Sequence, residues 1–232
     1  MKKLRSPHGI SLLETLVAVA IVGTLATVIL PTISAARSRA DTAKCASNLR
    51  QLGVGILTYA TENEGSLPPG ATWDRSISPY LGIEDWNKVG VNTSVLLCPS
   101  DKRSRPLPSG KYPRSYTGSV IKAADQTQGV FGDGATVASR KLAGIPQPGS
   151  TIMLFENFTS GTGNTLDNEQ FMGGFSWSSG FQTEASTPKL KNGKLYHQPV
   201  MNFLFVDGHV ESLPPAKIYT PPVLLWRATP KN

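Results

Sequence analysis

Two hydrophobic patterns follow one another in the first 64 residues of the chain. Residues 15–36 include no charged side chain, and apolar residues would occupy every side of a helix formed by this stretch of 22 residues. Farther on, apolar residues recur at intervals of four and three, which is the stripe of an amphipathic helix, at Cys45, Leu49, Leu52, Ile56 and Tyr59. Together the two patterns predict a single helix over residues 10–64, which Gly65 ends.

After residue 66 the pattern changes to short β-rich segments separated by Gly, Pro and Ser. Residues 94–97, 115–121 and 151–156 are predicted as strands, and Glu156 at the end of the third is a candidate buried acid. Residues 158–193 are dominated by Ser, Thr, Gly and Asn, so they are predicted as a long surface loop.

Residues 202–213 carry the clearest turn signal. Asp207-Gly208 lies between two β-rich runs, which predicts a hairpin with a two-residue type I′ turn. Asp207 would take the left-handed conformation, which Asp tolerates. Helix and strands together predict an α+β fold, in which a long N-terminal helix packs on a loop-rich antiparallel β domain.

The uncharged stretch has the dimensions of a membrane span. At 1.5 Å per residue its helix would be roughly 33 Å long, close to the thickness of a bilayer's hydrocarbon core. A secretory signal peptide has a shorter apolar core, of about 7–15 residues. A plain membrane anchor fits the length but gives no role to Glu14, an acid placed where a carboxylate is costly.

The residues around Glu14 provide a third interpretation. The run Gly9-Ile10-Ser11-Leu12-Leu13-Glu14, after a basic start and before the apolar stretch, resembles the N-terminus of type IV prepilins and type II secretion pseudopilins. The resemblance implies that a prepilin peptidase cuts the chain after Gly9 and that Ile10 becomes N-methylated. It also implies a helix kink at Pro31, whose missing N–H weakens a helix.

That resemblance gives Glu14 a physical role. Cleavage would create an ammonium group at Ile10, and Glu14 of one subunit could pair with this amine in a neighbouring subunit. A buried charge is strongly unfavourable without a partner, so the pair would fix the register of stacked helices. The implied function is a pilin-like structural subunit assembled into a type II secretion or type IV pilus-like filament, with other pilin-like subunits as partners.

Four segments follow from this interpretation. Residues 1–9 would be the leader, 10–36 the transmembrane and assembly helix, 37–65 its amphipathic continuation and 66–232 the globular domain. The implied location is the inner membrane, crossed once, with the leader in the cytoplasm and the globular domain in the periplasm or outside the cell.

A second motif lies near the C-terminus. His197 is followed by nine residues and then Asp207-Gly208, which resembles the His-x9-Asp-Gly motif of a family of prepilin-like proteins. Segments beginning at Cys45 and at Cys98 resemble the same family. The role of the motif stays open between a structural one, in which His197 orients the hairpin, and ligand binding.

The chain has two cysteines, Cys45 and Cys98. Two cysteines suit one disulfide in an oxidising compartment, and such a bridge would attach the globular part to the helix. The alternative is a pair of small buried thiols.

Metal binding is a further interpretation. His197, Asp207 and His209 would suit zinc, although three ligands make an incomplete set. Asp133 and the run Asp167-Asn168-Glu169 are oxygen-rich calcium candidates. An alternative function is therefore an inner-membrane-anchored periplasmic binding module for a glycan, a peptide or a metal ion.

Other functions find less support in the sequence. The formal charge is +7 and falls to +4 without the three basic residues of the leader, and basic residues do not cluster with aromatic ones, so nucleic-acid binding is not predicted. The motifs of serine hydrolases, zinc proteases and P-loop enzymes are missing from the sequence, so an enzyme is not predicted.

Overall fold

A computed structural model describes residues 12–70, 72–83, 94–101, 115–119, 129–132, 137–156, 181–184, 187–190, 197 and 199–214. The chain divides into two compact units, Met1–Ala40 and Asp41–Asn232. Gly9, Ile10, Asp133 and the run Asp167-Asn168-Glu169 lie outside the described residues.

Helix α1 extends over Leu12–Glu62, a length of 51 residues, and it continues through position 31. Its end lies two residues before the predicted one, because Glu64 already has a positive φ of 52°. Gly65 follows with φ of 79°, and its N–H donates to the carbonyl oxygen of Ala60 at 2.8 Å. This bond joins residues five apart, as in a Schellman ending, in which Glu64 holds the left-handed position and the predicted terminator Gly65 is the next residue.

Four strands form an antiparallel sheet in the order β1-β2-β5-β6: β1 (Tyr116–Gly118), β2 (Ile152–Glu156), β5 (Met201–Phe205) and β6 (Val210–Leu213). A separate two-stranded ladder joins β3 (Phe181–Glu184) to β4 (Thr187–Leu190). A short helix α2 (Trp73–Ser76) precedes a 3₁₀ turn, Ser78–Leu81. The predicted α+β class is therefore confirmed.

The second part of α1 packs on one face of the four-stranded sheet. Its predicted stripe is buried, with Cys45, Leu49, Leu52 and Ile56 fully covered and Tyr59 partly covered. The helix approaches β5 closely at Gly53, where an added Cβ would lie 3.0 Å from Leu204 Cδ1. Glycine at this position thus lets the helix backbone lie against the sheet.

Three local predictions are wrong. Residues 94–96 form a 3₁₀ turn instead of a strand, with Leu96 fully buried. The predicted long loop includes the β3–β4 ladder. The hairpin turn has three residues instead of two, because the N–H of Phe205 pairs with the carbonyl of His209.

The hairpin turn differs from a type I′ turn in its backbone as well. Gly208 takes the left-handed conformation, with φ of 92°, whereas Asp207 does not have a positive φ. The N–H of Gly208 donates to the carbonyl of Phe205 at 3.0 Å. A three-residue loop with glycine at the left-handed position is the next most common hairpin connection after the two-residue turns.

Candidate functional site

A disulfide joins α1 to the segment that follows the 94–96 turn. Cys45 Sγ and Cys98 Sγ are bonded, and both residues are buried. Cys45 begins the buried stripe of α1, whereas Cys98 begins a tight turn in which the N–H of Asp101 donates to the Cys98 carbonyl at 2.9 Å. The link therefore connects the helix to a segment 53 residues away in the sequence.

Two ionisable side chains lie beside this disulfide. His197 Nε2 is 3.2 Å from Cys98 Sγ and 3.2 Å from Glu156 Oε1. His197 is 3% exposed and Glu156 is 1% exposed. An acid and an imidazole in the interior are costly to bury, so each requires partners of its own.

Asn202 on β5 holds the carboxylate of Glu156. Its backbone N–H donates to Glu156 Oε2 at 3.0 Å, and its Nδ2 donates to Glu156 Oε1 at 2.7 Å. Ser212 Oγ on β6 donates to Asn202 Oδ1 at 2.5 Å, which fixes the orientation of the amide. Register explains why these groups meet, since Glu156 and Asn202 occupy neighbouring strands on the same face as the paired Leu154 and Leu204.

The His197 ring is held from its other side. Nδ1 lies 3.0 Å from Thr42 Oγ1 on α1, and a tight turn follows in which the N–H of Val200 donates to the His197 carbonyl at 2.7 Å. When Nδ1–H donates to Thr42, the lone pair of Nε2 faces Glu156 and Cys98. Three electron-rich atoms then converge, whereas in the other tautomer Nε2–H donates to Glu156 and Nδ1 accepts from the Thr42 hydroxyl.

Tyr116 on β1 also contributes a hydroxyl near the disulfide. Its hydroxyl donates to the Cys45 carbonyl at 3.4 Å and accepts from Asn48 Nδ2 at 3.4 Å. Burial raises the pKa of the Tyr116 phenol, so this hydroxyl stays protonated over the physiological range. Asn48 Nδ2 also donates to the Leu97 carbonyl at 2.9 Å, next to Cys98.

The predicted zinc set of His197, Asp207 and His209 is divided in the structure. His197 lies in the interior, whereas Asp207 and His209 pair with each other at the hairpin turn, with Asp207 Oδ1 2.6 Å from His209 Nδ1. The His209 ring stacks on Phe205, with ring centroids 4.2 Å apart. Asp207 and His209 thus belong to a surface contact that supports the turn, and they do not share a ligand set with His197.

The pKa of Asp207 is consistent with a role in supporting the hairpin turn. Partial burial works to raise the pKa of Asp207, but hydrogen bonds from the backbone N–H and the ring of His209 outweigh it and lower the pKa. The carboxylate form is therefore favoured in the fold.

Among the described residues, one group of side chains brings its metal-ligating atoms together: Cys45, Cys98, Glu156 and His197, within 4.8 Å of one another. The sequence supplied His197 and the two cysteines but assigned them to separate roles. For Glu156 the sequence indicates only a candidate buried acid. The sequence carries little indication that these four residues share one site, because they come from four distant segments.

Helix α1 carries the second set of predicted functional residues. Glu14 is exposed in its first turn, among exposed apolar side chains that include Leu12, Leu13 and Leu16. Of the helices in the described part of the chain, α1 is the one long and apolar enough to cross a membrane, as judged by length and composition.

The chain matches no protein-family model, no curated protein and no solved structure.

Proposed function

We propose that the protein is a pilin-like structural subunit. A prepilin peptidase would cut it after Gly9, and the mature chain would assemble with other pilin-like subunits through the first part of α1. Before assembly, the same segment would hold the protein in the inner membrane, with the leader in the cytoplasm and the second unit in the periplasm or outside the cell.

One observation carries this proposal: the large apolar side chains in the first part of α1 are exposed. The set comprises Leu12, Leu13, Leu16, Val17, Val19, Ile21, Val22, Leu25 and Ile33. A soluble chain rarely leaves so much apolar surface in contact with water, so these side chains require lipid or other helices around them. A filament and a membrane both meet this requirement.

Glu14 distinguishes a filament subunit from a plain anchor. It lies in the first turn of α1, four residues along the sequence from Ile10, whose amine the cleavage would create. In a bundle of these helices, each Glu14 carboxylate would pair with the Ile10 ammonium of a neighbour. Because either charge would be costly to leave unpaired among apolar side chains, neighbouring helices would stack in one fixed register.

The disulfide supports the proposed location. Disulfides persist in the periplasm and outside the cell, whereas the cytosol keeps thiols reduced. A Cys45–Cys98 bridge therefore suits a second unit that lies outside the inner membrane.

The first test is the mature N-terminus. Protein extracted from membranes is digested, and its N-terminal peptide is sequenced by mass spectrometry. We expect a chain that begins at N-methylated Ile10. A chain that retains Met1, or a new terminus near Ala36, would contradict the proposal.

The second test addresses Glu14. We expect Glu14→Gln to leave membrane insertion and processing intact but to reduce sheared filament yield by about tenfold or more. Thr15→Val is the matched control, because the Thr15 hydroxyl donates to the Leu12 carbonyl within the same helix. Equal filament yield from the two variants would remove the proposed role of Glu14.

A further inference from the structure

We propose that Cys45, Cys98, His197 and Glu156 form a tetrahedral zinc site when the two cysteines are reduced, as an alternative to the disulfide. This site goes beyond the proposed filament function and does not depend on it. Its ligand would be a divalent cation of borderline softness, for which thiolate, imidazole and carboxylate are all suitable donors.

The geometry of the four donors fits one ion. Their ligand atoms lie within 4.8 Å of one another, and His197 Nε2 is 3.2 Å from both Glu156 Oε1 and Cys98 Sγ. Zinc bonds of about 2.0–2.3 Å at tetrahedral angles separate neighbouring ligands by roughly 3.3–3.8 Å. Once the S–S bond is broken, small shifts of the two sulfurs would therefore bring all four donors around a common centre.

The surrounding hydrogen bonds are those of a metal site. Thr42 Oγ1 lies 3.0 Å from His197 Nδ1, so Nδ1–H can donate to it and leave the Nε2 lone pair free for a metal ion. Asn202 donates twice to the Glu156 carboxylate. Outer partners of this type set the tautomer of a ligating histidine and the orientation of a ligating carboxylate.

The disulfide itself needs neither of the buried side chains beside it, His197 and Glu156, which lie 3.2 Å from each other. A disulfide is uncharged and packs well against apolar side chains, whereas an acid and an imidazole in the interior are costly to desolvate. A cation bound between two thiolates, a carboxylate and a neutral imidazole would satisfy every one of these groups. The same four residues would also join four separate segments of the chain: α1, the turn after residue 96, the end of β2 and the turn before β5.

The two states interconvert by a balanced exchange. A dithiol reductant supplies two electrons and two protons, so the Cys45–Cys98 bond breaks, two thiols form and the reductant becomes a disulfide. Zinc then displaces the two thiol protons and binds both sulfurs as thiolates. In an oxidising compartment, a disulfide donor would reverse the exchange and release the ion.

The test uses the full chain in detergent micelles. The protein is reduced with a phosphine, stripped with a chelator and titrated with Co²⁺ and then Zn²⁺ in the absence of oxygen. We expect one ion per chain, the visible absorption of tetrahedral Co²⁺, a thiolate-to-cobalt charge-transfer band in the near ultraviolet, and loss of both signals as Zn²⁺ displaces Co²⁺. The oxidised protein should show neither signal.

Two variants and a matched control identify the ligands. His197→Ala and Glu156→Gln should each weaken Zn²⁺ binding by about tenfold or more. His209→Ala should leave the affinity unchanged, because that histidine lies at the exposed hairpin turn. Zinc should also raise the melting temperature of the reduced protein, followed by far-ultraviolet circular dichroism, and leave that of the oxidised protein unchanged.

Several results would overturn the site. Absence of the tetrahedral Co²⁺ spectrum in the reduced protein would do so, whether or not the reduced chain stays folded. Equal Zn²⁺ affinities for His197→Ala and His209→Ala would show that His197 is not a ligand and that the proposed four-residue site does not exist. Binding of equal strength to the oxidised protein would exclude the thiolates as ligands.

Discussion

The two ends of α1 differ in what covers their apolar side chains. Near its start, Leu16 is 64% exposed and Val19 is 71% exposed, whereas Leu49 and Leu52 farther along are fully buried. Both segments are helical and rich in apolar residues. The difference lies in the rest of the chain, which supplies a sheet for the second segment.

The two segments of α1 therefore have different packing partners. Leu49 and Leu52 help to build a core within the chain, together with residues of β2 and β5. The apolar residues at the start of α1 are exposed, and under the proposed function lipid or neighbouring copies of the helix would cover them. Stability of the second unit should therefore be sensitive to changes in one segment and insensitive to changes in the other.

The largest effect is expected from removal of the disulfide. The double variant Cys45→Ser, Cys98→Ser should lose about 4 kcal/mol of unfolding free energy, because the bridge closes a loop of 53 residues that otherwise costs entropy to order. Urea unfolding in the presence of a chelator measures this loss without interference from bound metal. An unchanged midpoint would mean that the bridge does not constrain the unfolded chain.

The same substitution made at the two ends of α1 tests the comparison directly. Leu49→Ala should cost about 3 kcal/mol, because it leaves a cavity in a fully packed core. Leu16→Ala should change the unfolding free energy of the second unit by less than about 0.5 kcal/mol. Urea unfolding of both variants in the same detergent checks this, and similar losses would contradict the division of the helix.

A smaller effect is expected at the hairpin turn. Gly208→Ala should cost about 1 kcal/mol, since Gly208 has φ of 92°, which side chains with a Cβ disfavour. Gly144→Ala is the control, because an added Cβ there meets no atom within 4 Å. Thermal unfolding should place Gly208→Ala below the wild type and Gly144→Ala close to it, and the reverse order would exclude backbone strain as the cause.

The smallest effect concerns Asp207. Its lowered pKa means that the carboxylate stabilises the fold above the ordinary carboxyl pKa, near 4, and that this contribution is lost as the pH falls through the lower folded value. Since the side chain is 42% exposed, solvent screening limits the contribution to about 0.5 kcal/mol. Asp207→Asn should therefore be less stable than the wild type at pH 7, and the two should converge in strong acid.

Stability measured against pH for both proteins provides the check on Asp207. A constant difference from pH 7 down to pH 2 would assign the effect to hydrogen-bond geometry instead of charge.

Local sequence patterns predicted helix α1 better than the turns. The stripe beginning at Cys45 identified the buried face of α1, because a helix repeats every 3.6 residues and its covered side needs few residues to define it. The turn at Asp207-Gly208 was placed correctly, but its length was not, since both two-residue and three-residue loops favour a glycine in the left-handed conformation. Residues 94–96 have an apolar pattern typical of a strand, yet burial of Leu96 in a 3₁₀ turn satisfies it equally well.

The sequence by itself determined the two-part character of α1, the approximate position of its end and the α+β class. These follow from periodicity and backbone preference, which act over a few neighbouring residues. Only the tertiary structure decided that Glu156 and His197 lie beside the Cys45–Cys98 pair and that Asp207 and His209 do not. Strand register and chain topology bring these four residues together from segments as far apart as α1 and the turn before β5, and no short-range pattern encodes such distances.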